Sequence, residues 1–254
     1  MNVTRPARSL AEHKRQYERE GYAILPGLLG PREMAPIVTY IDRFVEEQSR
    51  SMRPEHLDKP HVWDKRFLDF CALPAILDTI EAFIGPDIVL FSSHLICKAK
   101  GDGLEVPWHQ DAVYWPLEPM NVVTLWLAID DSTVANGCMR VIPGTHAQGP
   151  LEHVDDESPQ TKVLHQKIRP DLFDPAGAVD LELRRGDASL HAPFAIHGSA
   201  PNTSDKRRAG LTMRFMPAAT RMLRSGPLGK WFGNHPLFLL RGHDRARNNV
   251  YANA

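Results

Sequence analysis

The spacing of apolar residues changes period near residue 87, and that change limits the chain to few architectures. Before it, apolar residues recur every three or four positions. Met34, Ile37, Val38, Ile41, Phe44 and Val45 form one such stripe, which predicts a helix over 32–49 that packs against a sheet. Ser9 with Glu12 three residues on is a capping-box pattern, predicting a helix to about Glu20 that Gly21 ends. Tyr22–Leu25 reads as a short strand, 50–62 as an irregular loop, and Phe67–Ile84 as helical with a restart at Pro74. From Ile88 the spacing is strand-like, in Val89–Phe91, His94–Lys98, 106–115, Val122–Ile129, Met139–Ile142 and 207–216. Helices first and strands after predict an α+β domain, mainly β at its core, whose strands close into a sandwich or barrel.

With 254 residues, 43% hydrophobic and 24% charged, the chain can bury one sizeable core. We expect a single domain over 1–254, with helical support over 1–86, a β core over 87–216 and an extension over 217–254. No internal repeat, low-complexity tract or Gly/Ser linker divides it. The polar stretch 147–178 is too long for an ordinary connection and is a candidate lid over a substrate. The extension carries Arg221, Arg224, Lys230, Arg241, Arg245 and Arg247 around Trp231 and Phe232. It reads as a solvated face, or as a holder of an anionic substrate if it lies near the barrel mouth.

A net charge of −1 leaves no electrostatic footprint for nucleic acid or an anionic membrane. No run reaches the roughly 18 apolar residues of a spanning helix, and Met1–Arg8 leads into charged residues instead of a signal-type apolar stretch. These features predict a cytoplasmic protein with a small-molecule substrate and no polymer partner; the oligomeric state has no signal in the sequence. Cys71, Cys97 and Cys138 are far apart and odd in number, so they read as reduced, buried thiols.

Within 106–115 the run Val-Pro-Trp-His-Gln-Asp-Ala-Val-Tyr-Trp sets His109 and Asp111 two residues apart. On a strand, residues i and i+2 share a face, so an imidazole and a carboxylate stand side by side. Together they make two thirds of the 2-His-1-carboxylate set that holds non-haem Fe(II) and leaves coordination positions open. The third ligand we expect is His197, with His191 as its rival. Small residues over 200–206 then lead into the last strand-like run, so the region from His197 to Met216 reads as a β-hairpin. With the turn centred on Thr203 and Ser204, Ser199 faces Arg208 across the ladder. A guanidinium fork beside a hydroxyl suits the far carboxylate of a keto acid chelated to a metal.

These residues carry a resemblance to the phytanoyl-CoA dioxygenase family, the Fe(II)/2-oxoglutarate oxygenases, in an ordered series of motifs. The series runs through Glu20–Leu29, Trp108-His109-Gln110-Asp111, Trp126–Thr133 and Asn136–His146, and ends with His197-Gly198-Ser199 and an arginine eleven residues later. It spans most of the chain and implies a double-stranded β-helix of jelly-roll, cupin-like type. It implies Fe(II) on His109, Asp111 and His197, with 2-oxoglutarate and O2 as co-substrates and the keto acid's distal carboxylate on Arg208 and Ser199. The implied reaction hydroxylates a C–H bond of a small metabolite, rather than an acyl-CoA, with release of succinate and CO2. The family's spacing selects Arg208 over its neighbour Arg207.

Halogenating relatives replace the ligand carboxylate with a small residue, so the presence of Asp111 favours hydroxylation or desaturation. Thr124 and Lys98 are further candidates for contact with the keto acid, and Tyr114, Trp115, Gln110 and Arg214 for contact with substrate. His146 reads as structural or as lying behind a ligand. Two other classes stay open: a jelly-roll hydrolase or isomerase using Zn(II) or Mn(II), and a non-catalytic small-molecule binding protein. The first has no need of Arg208 and Ser199; members of the second commonly lose a ligand, and here none is missing.

Overall fold

The computed structural model describes residues 9–252; Met1–Arg8, read above as lacking a signal-type run, lie outside the described residues. Ser9 and Glu12 cap α1 (Leu10–Glu20) reciprocally, and Gly21 ends it at φ 78°, a left-handed conformation that glycine adopts without strain. After β1 (Tyr22–Leu25), helix α2 (Pro31–Gln48) buries Met34, Ile37, Ile41, Phe44 and Val45. Residues 50–62 depart from the expected irregular loop. They hold β2 (Leu57–Asp58), which pairs with Leu95 and His94, and a one-turn helix α3 (Pro60–Trp63) opened by Pro60. The helical stretch that follows is two helices, α4 (Lys65–Cys71) and α5 (Pro74–Ile84), divided where Pro74 starts afresh.

Two antiparallel sheets follow. The larger runs β1, β11 (Ala188–His191), β6 (Val123–Ala128), β13 (Arg208–Pro217), β3 (Ile88–Lys98) and β15 (Phe238–Arg241), with β2 also on β3. The smaller runs β10 (Val179–Leu181), β7 (Met139–Val141), β12 (His197–Ser199) and β4 (Val106–His109). Two ribbons stand apart, β5 (Leu117–Glu118) with β14 (Arg221–Met222), and β8 (His153–Asp155) with β9 (Gln166–Ile168). The architecture is a double-stranded β-helix with helices outside its larger sheet. The stretch 147–178 is thus partly ordered as the β8–β9 ribbon, and its Val163 and Leu164 reach the space beside β4.

Strand β13 serves two neighbours. Ala209, Leu211, Met213 and Phe215 join the main core with Met34, Ile37 and Ile41 of α2 and Ile76 and Ile80 of α5. Arg208, Thr212 and Arg214 alternate with them and line the cavity on the other side, as the two-residue period of a strand requires. Full burial of a large apolar side chain contributes roughly 1.5–3 kcal/mol, so the helix-facing side stabilises the sheet while the inward side is left for chemistry. Strand β3 is continuous where the spacing suggested two pieces. A bulge between the Arg214–Ser92 and Phe215–Leu90 pairs absorbs Phe91 and shifts the alternation.

The expected hairpin from His197 to Met216 does not form. β12 lies between β7 and β4 in the smaller sheet, and β13 between β6 and β3 in the larger. Residues 200–207 cross from one sheet to the other. Asn202 holds the crossing, its amide donating to the carbonyls of Lys98, Ala99 and Lys206 at 3.4, 2.9 and 2.7 Å. No helix among the described residues is long and apolar enough to cross a membrane. The three cysteines are buried and free.

Candidate active site

β4 ends at His109, and Gln110 stays extended (φ −115°, ψ 129°) before Asp111 opens a 3-10 turn that runs to Tyr114. His109 and Asp111 therefore keep the i, i+2 geometry across one extended residue, although Asp111 has left the strand. β12 lies beside β4 with His197 opposite His109. Ligand atoms of His109, Asp111 and His197 all lie within 4.8 Å of one another, and all three residues are buried. In both histidines Nδ1 donates to the carbonyl two residues back, Pro107 at 2.8 Å and Ala195 at 3.0 Å. That bond places the proton on Nδ1 and leaves the Nε2 lone pair for a metal. Burial, reinforced by His109 and His191, holds His197 well below its usual value and hence neutral. Burial alone would raise the Asp111 carboxyl, but the Arg214 charge and the neighbouring imidazoles of His109 and His191 outweigh it and hold it well below the usual carboxylate range.

A row of three residues stands behind that carboxylate. His191, Thr124 and Arg214 are directly opposed on β11, β6 and β13. Each faces Asp111 Oδ2: His191 Nε2 at 3.5 Å, Thr124 Oγ1 at 3.5 Å and Arg214 Nε at 3.7 Å. Oδ1, 3.5 Å from His109 Nε2, is left on the metal side. His191, the rival ligand, thus addresses the back of the carboxylate. Thr124, expected beside the keto acid, faces Asp111 instead because the sheet register sets it in this row.

Arg208 and Lys98 are opposed on β13 and β3, both buried, and neither forms an ion pair with a carboxylate among the described residues. Lys98 Nζ donates to Ser199 Oγ at 2.7 Å and to the carbonyls of Ser199 and Ala200. Arg208 Nη2 donates to the same hydroxyl at 3.4 Å, and its Nε has no partner. Its guanidinium lies 5.3 Å over the ring of Trp126. Burial lowers Arg208 to about 10; burial together with the Arg208 charge lowers Lys98 to about 6. Buried cations without an anion are costly, and the carboxylate of a keto acid supplies both charge and acceptors. Ser199 and Arg208 do meet as expected, but across the gap between the sheets and not along a hairpin ladder.

Apart from Lys98 and Thr124, these groups line one cavity of about 350 Å³. Tyr114, Trp115 and Arg214 line it too; Gln110 does not. Gln110 is fully buried, donating to the carbonyls of Gly149 and Phe194 at 2.9 and 2.8 Å and accepting from the Leu151 amide at 2.7 Å. It ties loops together and has no capacity left for substrate. His146 reaches the Glu18 carbonyl on α1 at 3.2 Å, a structural contact, and Arg207 pairs outward with Asp130 and Asp42. Three charges of the extension are likewise committed. Arg224 donates to the carbonyls of Phe232, Gly233 and His235, Arg241 pairs with Asp78 and Glu81, and Arg221 pairs with Glu118. Phe232 reaches the cavity in their place. The sequence reading missed Trp126 beneath Arg208, although Trp126 shares a face with Thr124 two residues away.

A buried His-Asp-His set, with a separate anion site in the same cavity of a double-stranded β-helix, defines the non-haem oxygenases that use a keto acid, and the donor set fits Fe(II) and 2-oxoglutarate. A family model for phytanoyl-CoA dioxygenase (PhyH) matches residues 17–210, and the chain belongs to that family. It is 28% identical over 234 residues to the peroxisomal phytanoyl-CoA dioxygenase of Bos taurus, covering 82% of this chain and 68% of that one. An L-proline trans-4-hydroxylase of Streptomyces griseoviridis is 28% identical over 245 residues, 85% of this chain and 88% of that one. The chain spans 44–68% of the length of the mammalian peroxisomal relatives it matches. The solved apo structure of the non-heme monooxygenase ThoJ aligns with TM-score 0.73 at 27% identity, over 93% of this chain and 85% of that one.

Proposed function

We propose that this chain works as one oxygenase unit, an Fe(II)- and 2-oxoglutarate-dependent dioxygenase that hydroxylates a C–H bond of a small metabolite. One observation carries the reading. The His109, Asp111 and His197 set shares its cavity with Arg208, a buried cation that has no carboxylate of its own among the described residues, and with Ser199 beside it. A metal hydrolase has no use for that second feature.

In the balanced reaction R–H, 2-oxoglutarate and O2 give R–OH, succinate and CO2, one oxygen atom entering the alcohol and the other the succinate carboxylate. Iron, with the keto acid bound, supplies the activation of dioxygen. The residues of the chain supply placement. His109, Asp111 and His197 would hold the metal. Arg208 and Ser199, with Lys98 behind Ser199, would take the distal carboxylate and so fix the direction in which the keto acid lies. Val163 and Leu164 help to exclude water. The cavity's size suits a free small molecule of the kind named for the Streptomyces relative, and the near-zero net charge supports a reading without nucleic-acid or membrane partners.

Anaerobic titration of Fe(II) and then 2-oxoglutarate into metal-free protein tests this. A weak visible charge-transfer band of the chelated keto acid is expected. Arg208→Ala should raise the keto acid Kd by about 10- to 150-fold, the equivalent of a charge-assisted bond of about 1.5–3 kcal/mol. Bound Fe(II) with no band at saturating keto acid overturns the proposal.

A further inference from the structure

Arg214 stands six residues beyond Arg208 on the same face of β13. Their Cα atoms are roughly 20 Å apart at the rise of a strand, so the two guanidinium groups serve different ends of the cavity. The Arg214 side chain is 12% exposed and lies 5.3 Å over the ring of Trp115. A guanidinium has five N–H donors. Among the described residues, Arg214 reaches one acceptor, Ser92 Oγ at 3.5 Å; its Nε has none and lies 3.7 Å from the nearest carboxylate, Asp111 Oδ2. A metal on Oδ1 draws on that same carboxylate's charge, which leaves Arg214 less compensated.

The neighbouring groups are already engaged. Lys59 pairs with Asp58 at 3.3 Å, and His94 Nε2 donates to the Glu55 carbonyl at 2.9 Å. The hydroxyls of Tyr114 and Thr212, both in the cavity wall, have no partner. This end of the cavity therefore holds one guanidinium whose carboxylate partner, Asp111, stands on its Nε side at 3.7 Å, with neutral donors near its outer nitrogens.

We propose that Arg214 anchors a second anion subsite, separate from that of the keto acid, and that the primary substrate is a small molecule bearing one carboxylate bound there. The proposal rests on the oxygenase reading and names its substrate class. The outer nitrogens of a single guanidinium offer one carboxylate two parallel N–H bonds, which favours a monoanion over a dianionic phosphate ester. Because Arg214 Nε lies beside Asp111, a carboxylate on its outer nitrogens is close to the metal ligands. The C–H bond that is oxidised then lies within a few bonds of that carboxylate. The cavity of about 350 Å³ must also contain the keto acid, so the part of the substrate held beside the metal ligands is small.

The test uses the full chain with Fe(II) and 2-oxoglutarate. The probes are the proteinogenic L-amino acids and a set of small 2-hydroxy acids, each beside its methyl ester or primary amide. At least one free acid should shift the charge-transfer band and stimulate succinate formation, with its ester or amide about tenfold weaker or more. With each variant saturated in Fe(II) and keto acid, Arg214→Gln should still form the charge-transfer band but lose the stimulation, and Arg214→Lys should retain part of it. The proposal is overturned if no acid stimulates, if esters and amides do as well as acids, or if Arg214→Gln leaves stimulation intact. It is also overturned if Arg214→Gln saturated with Fe(II) forms no band at any keto acid concentration, which would assign the anion to the keto acid's own metal-bound carboxylate. Absence of the band in the wild-type protein defeats the oxygenase reading instead.

Discussion

Arg208 and Lys98 face each other across β13 and β3 as two buried basic groups sharing one hydroxyl, Ser199 Oγ. The pair is unfavourable alone: burial and the nearby Arg208 charge bring Lys98 down to about 6, so at neutral pH the free protein holds Arg208 charged and Lys98 mostly neutral.

Binding of 2-oxoglutarate should therefore take up a proton. Lys98 begins with a lowered value near 6, and a carboxylate beside it raises that value. Between the two values the complex binds more protons than the free protein, so affinity falls as pH rises, by up to about tenfold per pH unit. Below both values Lys98 is protonated in each state and its contribution to the slope vanishes. Calorimetry in two buffers of different ionisation heat reads the uptake directly, and Lys98→Met should abolish it. Equal heats for the wild type in mildly alkaline buffers would remove Lys98 from the keto acid site.

Gly210 makes room for the indole under Arg208. A Cβ there would lie 1.9 Å from Trp126 Cζ2. Gly210→Ala should displace Trp126, cost about 1–3 kcal/mol as overpacking, and weaken the keto acid. Adding Trp126→Leu should restore the denaturant midpoint but not the affinity. Undiminished affinity in Gly210→Ala would show that Trp126 does not position Arg208.

Gln110→Leu should damage the fold and spare the chemistry. Three backbone groups, on Gly149, Leu151 and Phe194, lose their partner, at about 1–3 kcal/mol for each buried group left unsatisfied. Thermal unfolding should show the loss, while the folded fraction binds Fe(II) and keto acid with wild-type affinity. A normal Tm with a raised substrate KM would return Gln110 to the substrate site.

Thr124→Val keeps the side chain's shape and removes one of the donors facing Asp111 Oδ2. Fe(II) or Co(II) affinity should fall by about 10- to 100-fold, as for other partners of ligating groups. Metal-free protein should keep its Tm nearly unchanged. Wild-type protein gains about 2.7 kcal/mol when free metal is about a hundredfold above Kd, and Thr124→Val should gain less at the same metal concentration. Equal gains would show that the row behind Asp111 does not tune the ligand.

The alternation over 208–215 and the His109-x-Asp111 spacing are legible in the sequence because both rest on local geometry. Extended Gln110 preserves the second even where the strand has ended. Ser199 and Arg208 mark the limit. Small residues over 200–206 suit a tight turn and a crossover equally, and the choice is made by Asn202, whose amide finds its acceptors only when Lys98 and Lys206 are both near. Gln110 was misread for a related reason. A polar residue in an apolar run signals chemistry, yet its partners lie 39, 41 and 84 residues away and leave no local pattern. The row of His191, Thr124 and Arg214 depends on the order β11-β6-β13, which periodicity does not supply.

The two faces of β13 have a consequence for how such an enzyme diverges. Leu211, Met213 and Phe215 keep the scaffold upright, while Thr212 and Arg214 line the cavity. Replacements at the inward positions leave the helix-facing packing untouched, so new substrates become accessible through a handful of codons without first acquiring a more robust protein. Evolvability here is a property of a strand's pleat.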